Sequence, residues 1–406
     1  MRDAGDGIPY NIRSVLKLFN KKSFIAGIIT GIVLVIAVNT LYRAAATFLP
    51  WLLFGEMSVQ QKIDEIFNIL DEHYVYGYER EDLIEGVFAG LVAKLGDPNT
   101  SYMSAENMAG FFQRIDGSYA GIGVVVSVDP KDNRIIVLEA YKGAPGERAG
   151  ILAGDKFIMV NDIPIPGDIL EEAVAMIKGP PGTPVTITVL RESDGSIFDT
   201  EIIREIVNIP TVSHKMMDDN IGYIRLFGFD RVTTGQFKEA YDDLNAQGME
   251  GLILDVRNNS GGLLDVVVSI TDMLVAADYI LYTVNRGGER EYIYASGEGI
   301  EMPLVVLVNG NSASASEVLA GAVKDTNTGV LVGTQTFGKG SVQNIFRMAD
   351  GSGVRVTVSK YYTPSGISID REGITPDYIV ELTDYEDDAQ LQKAAEIILG
   401  MLSYAE

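Results

Sequence analysis

Three short loops carry the side chains of this 406-residue chain that are best suited to chemistry. They lie at residues 258–262, 309–317 and 336–340, and each follows a predicted strand rich in Val, Ile and Leu. Strands alternate with helices through this part of the sequence, which is typical of a mostly parallel sheet covered on both faces. Sites on such sheets lie beyond the carboxyl ends of the strands, so the three loops are expected to meet there.

The second loop contains serines at three alternate positions, just before a predicted helix that begins near Ala315. The N-terminus of a helix directs backbone N–H groups at one point, where they can stabilise negative charge on a reacting substrate. A serine at this point is a candidate nucleophile. The same residues also fit an ordinary N-cap, with Glu317 interacting favourably with the helix dipole. Both interpretations remain open at this stage.

Lys339 lies between two glycines in an otherwise apolar stretch. Burial lowers the pKa of a lysine, and a neutral amine can accept the proton of a serine hydroxyl. On a strand, Lys339, Ser341 and Gln343 would share one face, so Gln343 could orient the amine or the substrate. A solvated lysine at a loop tip is the alternative interpretation.

Two glycine-rich segments partly match nucleotide-binding loops, but neither is followed by the required helix. Residues 333–340 have Gly340 where the phosphate-binding pattern needs a hydroxyl, and the next residues alternate like a strand. Gly121 and Gly123 form part of a dinucleotide-binding fingerprint whose third glycine is missing. We therefore predict no nucleotide site.

Composition excludes several other kinds of chemistry. The chain has no cysteine, which rules out disulfides, a thiol nucleophile, zinc-thiolate sites and iron-sulfur clusters. Its two histidines, His73 and His214, cannot form a three-histidine metal site. A net charge of −24 argues against binding nucleic acid, because phosphate contacts need a basic surface.

Residues 24–42 contain no charged side chain and are long enough to cross a hydrocarbon core of about 30 Å. Arg13, Lys17, Lys21 and Lys22 precede this segment, so residues 1–23 are predicted to be cytoplasmic and the acidic remainder to lie across the membrane. A cleaved signal peptide and a buried helix of a soluble protein are the alternatives.

The rest of the chain divides by pattern into four parts. Residues 57–112 show helical periodicity, and residues 114–205 consist of short strand-like runs with two short helices, which is typical of a small, partly open β-barrel. Residues 206–383 contain the alternating strands and helices, and residues 384–406 include one amphipathic helix.

The motifs together resemble the C-terminal processing peptidases, or tail-specific proteases, a family of serine peptidases with a Ser-Lys mechanism. The resemblance extends over residues 57–381 and includes GDPNTSYMS at 96–104, YAGIGVVV at 119–126, LDVRNNSGGLL at 254–264, NSASASEVLAGAVKD at 311–325, GTQTFGKGSVQ at 333–343 and YYTPSGISID at 361–370. Each motif alone is weakly specific, but their shared order is highly specific.

The resemblance implies that Ser314 is the nucleophile, that Lys339 is the general base and that Gln343 supports the lysine. No metal or cofactor is expected, and neither histidine has a catalytic role. Departures are small: Ser260 stands where the family often has Pro or Gly, and Ile367 where an Arg is common.

An oxyanion hole is implied at the amide of Ala315 together with one amide of the Asn-Asn-Ser-Gly-Gly loop. Gly261 is the preferred second donor, with Ser260 and Gly262 as the alternatives. Such backbone donors stabilise the negative oxygen of the tetrahedral intermediate.

The resemblance also implies that residues 114–205 are a PDZ domain. Its loop at Gly121, Ile122 and Gly123 would present backbone N–H groups to the C-terminal carboxylate of a peptide, while the peptide adds as a strand. The two glycines are also consistent with a plain turn.

The implied architecture is an α/β multidomain chain. It has an N-terminal transmembrane helix, a helical dimerisation module, a PDZ-like β-barrel domain, an α/β protease core of the crotonase/ClpP-like kind, and a C-terminal helix. The expected function is that of a homodimeric, membrane-anchored, extracytoplasmic serine endopeptidase that captures protein C-terminal tails and cleaves near them. The alternative is a non-catalytic, membrane-tethered PDZ adaptor.

Overall fold

The computed structural model describes residues 21–53, 57–381 and 388–405. Residues 1–20 of the predicted cytoplasmic segment, with Arg13 and Lys17, and residues 384–387 of the predicted C-terminal segment lie outside the described residues. The chain divides into two compact units, Met1–Asp82 and Leu83–Glu406.

The first unit contains helices α1 (Lys21–Leu53) and α2 (Val59–His73). Within α1, Phe24–Arg43 is a 20-residue span of mean hydropathy 2.4, none of which is buried. Its length and composition are those of a membrane-spanning helix, and a signal sequence near an N-terminus meets the same description. The predicted apolar helix is therefore present.

Helix α2 begins with a capping box that the sequence Ser-Val-Gln-Gln encodes. The Ser58 hydroxyl accepts the N–H of Gln61 at 3.2 Å, and the Gln61 side chain accepts the N–H of Ser58 at 2.8 Å. These bonds satisfy donors that a helix N-terminus otherwise leaves unpaired. On the same helix Phe67 is buried and stacks on Tyr78.

The chain continues with α3 (Arg80–Ala93), β1 (Ser101–Met103) and α4 (Ala105–Ile115). Helices therefore dominate the stretch predicted to be helical, but the strand β1 within it was not predicted. That residues 57–112 form a helical dimerisation module remains a prediction.

The next region contains the short strands and two helices that the sequence predicted. They are β2 (Ser118–Gly121), β3 (Val124–Asp129), β4 (Arg134–Ala140), α5 (Pro145–Arg148), β5 (Lys156–Val160), β6 (Ile163–Pro164), α6 (Leu170–Ile177), β7 (Pro184–Arg191), β8 (Ser196–Ile203) and β9 (Glu205–Asn208). The sheet has the order β3-β4-β5-β7-β8, with β6 paired to β5, and β2 pairs separately with β9. Phe157 and Ile187 of the sheet and Ala173 of α6 share one buried core. Closure into a barrel remains a prediction.

The last region contains the alternating elements. They are β10 (Val212–Met216), β11 (Ile221–Leu226), α7 (Thr233–Ala246), β12 (Gly251–Asp255), α8 (Leu264–Leu274), β13 (Tyr279–Asn285), β14 (Arg290–Tyr294), β15 (Leu304–Val308), α9 (Ala315–Asp325), β16 (Val330–Gly333), β17 (Ser341–Arg347), β18 (Gly353–Tyr362), β19 (Tyr378–Ile379) and α10 (Ala389–Ala405).

A six-stranded sheet of order β10-β11-β12-β15-β16-β19 forms its centre, and only β10 is antiparallel to its neighbour. Every residue of β12 and β15 is buried, as the continuous apolar runs predicted. Leu252 and Leu254 pack in one core with residues of α7, α8 and α9, whereas Ile253 packs in another with Ala394 and Ile398 of α10. The prediction of a mostly parallel sheet covered on both faces is confirmed.

A second, antiparallel sheet has the order β1-β18-β13-β14, with β17 also paired to β18. Strands β13 and β14 were not predicted. The sheet matters for the site because β17 follows the loop that carries Lys339.

Arg257 lies just after the end of β12 and connects the parallel sheet to the C-terminal segment. Its guanidinium contacts Asp255 at 2.7 Å and Asp388 at 2.8 Å. Asp255 is fully buried and also accepts the Tyr223 hydroxyl at 2.7 Å. A buried carboxylate held in this way depends on its cation.

Candidate active site

The three predicted loops meet at one edge of the parallel sheet, as expected from the order of β12, β15 and β16. The Ser312 hydroxyl donates to the carbonyl of Val256, and the Ser312 carbonyl accepts the N–H of Phe337 at 3.0 Å. A cavity of about 460 Å³ opens beside them, and Ser314, Ala315, Lys339 and Gln343 are among the residues that line it.

Ser314 is the N-cap of α9 and has φ 56° and ψ −113°. This backbone conformation is sparsely populated by residues other than glycine and costs on the order of 1–3 kcal/mol. A sharp strand-to-helix turn of this kind exposes a side-chain hydroxyl at the end of a sheet. The local backbone therefore presents Ser314 to the cavity.

The two neighbouring serines have structural roles. Both are fully buried; the hydroxyl of Ser312 donates to Val256 O, and that of Ser316 donates to Asn259 O, each at 2.8 Å. These bonds attach the serine loop and the start of α9 to the segment after β12, at Val256 and Asn259. Of the three alternate serines, the middle one lines the cavity.

Glu317 organises the site to a degree that the sequence did not reveal. Its carboxylate is fully buried. One oxygen accepts the N–H groups of Ser314 and Lys339, each at 2.8 Å. The other accepts Thr336 Oγ1 at 2.6 Å and the N–H of Gly338 at 2.7 Å. From the sequence, only an interaction with the helix dipole was predicted for this residue; its spacing of three residues from Ser314 was the available signal.

Lys339 has the environment expected of a general base. Burial lowers the pKa of its amine, the nearby charge of Arg355 lowers it further, and Glu317 opposes the shift. Among the described residues, its amine has no hydrogen bond or ion pair. Both conditions favour a neutral amine that can accept a proton.

Gln343 lies on β17, whereas Lys339 precedes this strand, which begins at Ser341. The strand therefore does not include Lys339, whose backbone is held by Glu317, but Lys339, Ser341 and Gln343 all line the cavity. The Gln343 amide donates to Ser341 Oγ at 2.9 Å and to Ser341 O at 3.0 Å. Its assignment as the residue that supports the lysine remains a prediction.

Gly261 approaches the nucleophile closely. A Cβ atom built on it would lie 2.8 Å from the Ser314 Cβ and 3.0 Å from the Ala315 nitrogen. Its own N–H donates to Asn259 Oδ1 at 2.9 Å, whereas Ser260 and Gly262 line the cavity. The choice of the second oxyanion donor thus remains a prediction.

Two residues of β18 complete the cavity and were missed by the sequence analysis. Tyr361 is buried, burial raises the pKa of its phenol well above the usual range, and its hydroxyl donates to the carbonyl of Lys339. Arg355 lines the cavity with a buried Nε that has no hydrogen-bond partner among the described residues. Strand alternation from Arg355 to Tyr361 was the signal that could have placed them on one face.

A second groove, of about 290 Å³, lies in the region of short strands. Ile122, Val124 and Val126 line it from the β3 side, and Val174 and Ile177 line it from α6. The preceding loop has Gly123 at φ 76°, a left-handed conformation that favours glycine. This apolar groove beside a strand suits an extended peptide.

Family models match three parts of the chain. Residues 220–380 match Peptidase family S41, residues 136–191 match the PDZ domain, and residues 52–107 match the Activating protease CtpB N-terminal domain. The region at 220–380 contains the three cavity loops, and the region at 136–191 contains the α6 side of the second groove, with Val174 and Ile177.

Relatives extend the similarity over most of the chain. A carboxy-terminal-processing protease of Bartonella bacilliformis is 37% identical and covers 79% of this chain and 74% of its own length. The carboxy-terminal processing protease CtpA of Bacillus subtilis is 35% identical over 80% of this chain and 69% of the relative. A solved putative S41 protease from Bacteroides fragilis has a TM-score of 0.51 at 17% identity, covering 85% of this chain and 99% of that one, and shows the shared fold.

Fold and site together define a serine protease with a PDZ domain. The chain belongs to peptidase family S41 and, within it, to the carboxy-terminal processing proteases. The predicted family is confirmed, and the alternative of a non-catalytic adaptor is not favoured.

Proposed function

We propose that this chain is a membrane-anchored, extracytoplasmic endopeptidase that captures protein tails and cleaves near their C-termini with Ser314 and Lys339. The observation that carries the proposal is the single cavity lined by both residues. Ser314 has the backbone of a sharp strand-to-helix turn, and burial lowers the pKa of Lys339.

In the proposed reaction, Lys339 Nζ accepts the proton of Ser314 as the serine oxygen attacks the scissile carbonyl carbon. The N–H of Ala315 and one N–H of residues 260–262 stabilise the resulting oxyanion. The tetrahedral intermediate collapses, the carbon–nitrogen bond breaks, and Lys339 returns the proton to the leaving amine. Water then hydrolyses the acyl-enzyme by the same sequence of proton transfers.

Substrate capture is assigned to the second groove. A peptide tail would add beside β3, and its carboxylate would lie at the backbone N–H groups of the loop formed by Gly121, Ile122 and Gly123. The apolar lining from Val124, Val126 and Val174 favours an apolar terminal side chain. Tail preference therefore follows from a site separate from the catalytic cavity.

The anchor and its orientation belong to the same proposal. The apolar span Phe24–Arg43 supports anchoring, and the basic residues before it support a cytoplasmic N-terminus. Val87, Leu91 and Leu95 expose apolar side chains, which supports a homodimer that covers them. We further propose the domain division 57–112, 114–205, 206–383 and 384–406.

Active-site labelling tests the proposal. The full chain in detergent is incubated with a serine-reactive phosphonate, digested, and examined by mass spectrometry. We expect the adduct on Ser314, and loss of both labelling and peptide cleavage in Lys339→Ala. Heat-unfolded protein is the control for non-specific reaction. An adduct on another serine, or full labelling in Lys339→Ala, would refute the Ser-Lys assignment.

A further inference from the structure

Arg355 presents an unpaired guanidinium to the catalytic cavity. It lies on β18 opposite Ile345 of β17, and both side chains line the cavity together with Ser314 and Lys339. Its Nε is buried without a hydrogen-bond partner, and its side chain forms no ion pair in the part of the chain that the structure describes. An unpaired buried donor destabilises a protein, and more so when it is charged. Such a group therefore points to a functional role.

The carboxylate of Asp97 does not neutralise this guanidinium by direct contact. Its charge interacts with that of Arg355, but the two form no ion pair among the described residues. The oxygens of Asp97 instead hold its own loop, because Oδ1 accepts the N–H of Asn99 at 2.9 Å and Oδ2 accepts Thr100 Oγ1 at 2.6 Å. The guanidinium thus stays available to a ligand.

The lining of the cavity is basic, although the chain as a whole has a net charge of −24. Its charged members are Arg231, Lys339 and Arg355, and no Asp or Glu is among the described residues that line it. Arg231 is paired with Asp116 at 2.9 Å, and Lys339 is neutral when it acts as a base. Arg355 is therefore the cation of this lining that can meet an anion of the substrate.

We propose that Arg355 selects substrates that place a carboxylate beside the scissile bond, and that its guanidinium binds this carboxylate during cleavage. The inference rests on the proposed cleavage by Ser314 and Lys339. A guanidinium matches a carboxylate with two parallel N–H···O bonds, so an Asp or Glu side chain or the substrate's own C-terminus would suit it. Apolar lining residues, among them Phe111 and Leu263, strengthen the attraction because they exclude water. A substrate without the carboxylate leaves the guanidinium unpaired and is cleaved more slowly.

The test compares Glu with Gln in the substrate. An apolar-tailed peptide is cleaved by the full chain in detergent, the cleaved bond is located by mass spectrometry, and each flanking residue is replaced in turn by Glu and by Gln. At one position we expect the parent to show a kcat/KM about 10-fold or more higher for Glu, the value of a charge-assisted hydrogen bond. In Arg355→Gln the two peptides should be cleaved equally. Because each ratio is measured on one enzyme, any effect of the substitution on Lys339 itself cancels.

A second pair of peptides distinguishes the two sources of the carboxylate. Both end close to the cleaved bond, one as the free acid and one as the amide. If Arg355→Gln reduces the preference for the acid while Glu and Gln are equal in the parent at every position, the bound carboxylate is the substrate's C-terminus. Arg231→Gln is the matched control and should keep every preference of the parent, because its charge is already paired with Asp116.

The outcomes separate this inference from the proposed function. If the parent cleaves the peptides but neither preference depends on Arg355, the selective role of Arg355 is wrong and the Ser-Lys assignment stands. If the parent cleaves none of them, or if Ser314→Ala still cleaves, the proposed function is wrong and this inference is lost with it.

Discussion

Glu317 accepts the backbone N–H of Lys339 at 2.8 Å, which connects helix α9 to a loop 22 residues further along the chain. The same carboxylate oxygen accepts the N–H of Ser314. One buried anion therefore fixes the backbones of both the nucleophile and the base. Their relative position depends on a residue that takes no part in the proposed proton transfer.

Glu317→Gln should lower both stability and activity. The substitution turns one of the two carboxylate oxygens into an NH₂ donor, which would face either the donors of Thr336 and Gly338 or those of Ser314 and Lys339. We expect a loss of about 3 kcal/mol or more in the free energy of unfolding, from broken charge-assisted bonds. A displaced base should reduce kcat by about 100-fold. Urea unfolding and peptide cleavage measure the two effects.

Glu239→Gln on the exposed face of α7 is the control, and both quantities should stay unchanged. If Glu317→Gln retained full stability, the assigned role of the carboxylate would be wrong.

Arg355→Gln should move the pH dependence of cleavage. The proposed base works when Lys339 is neutral, so kcat/KM rises with pH through the pKa of this lysine. Burial lowers that pKa first, and the positive charge of Arg355 lowers it further because it disfavours a second cation. Removing the guanidinium should therefore raise the pKa and shift the rising limb to higher pH.

Arg231→Gln is its control. Arg231 lines the same cavity, but it is exposed and paired with Asp116 at 2.9 Å. Its replacement should leave the midpoint of the rising limb in place. A rising limb that stays fixed in Arg355→Gln would contradict the electrostatic assignment.

Gly261→Ala should disrupt the site because the added methyl group would collide with residues around Ser314, and not only because Gly261 has a positive φ. Gly261 has φ 105°, and its added Cβ would lie 2.9 Å from Ala313 O as well as 2.8 Å from the Ser314 Cβ. We expect at least about 2 kcal/mol of destabilisation, together with loss of cleavage.

Gly248→Ala separates the two causes, because Gly248 has φ 88° but a Cβ atom built on it would have nothing within 4 Å. It should cost about 1–2 kcal/mol and leave kcat unchanged. Equal effects of the two variants on cleavage would argue against close packing at the nucleophile.

Arg257→Met should weaken the attachment of the C-terminal segment. Asp255 would remain fully buried without its cation, and Asp388 would lose its partner. We expect about 3–5 kcal/mol of destabilisation by urea unfolding. Arg231→Met removes an exposed ion pair instead and should cost no more than about 1 kcal/mol. Comparable costs for the two variants would show that the buried network contributes little.

Much of the fold could be predicted from local pattern. Helix α9 begins at Ala315, where it was predicted to begin, and every residue of strands β12 and β15 is buried, as their continuous apolar runs predicted. Their apolar periodicity matches their burial, and this agreement is what pattern analysis detects. Strands β13 and β14 were missed because β13 pairs with β18, far along the chain, and four of the five residues of β14 are exposed.

The candidate site, like the fold, was predicted only in part from the sequence. Sequence and family resemblance identified Ser314 and Lys339, because motif order is a one-dimensional property of the chain. The strand assumed for Lys339 was wrong, since Glu317 holds its backbone in a loop. Tyr361 and Arg355 reach the cavity from a different sheet, and no local pattern shows which sheet edge a strand will meet.

The sequence by itself determined the family, the parallel core, the apolar N-terminal helix and the types of residue available for catalysis, because composition, periodicity and motif order are local. Only the tertiary structure decided that Ser312 and Ser316 are structural while Ser314 lines a cavity, and that one buried carboxylate holds both candidate catalytic backbones. The physical reason is that burial and hydrogen-bond partners depend on segments distant in sequence that come together only when the chain folds.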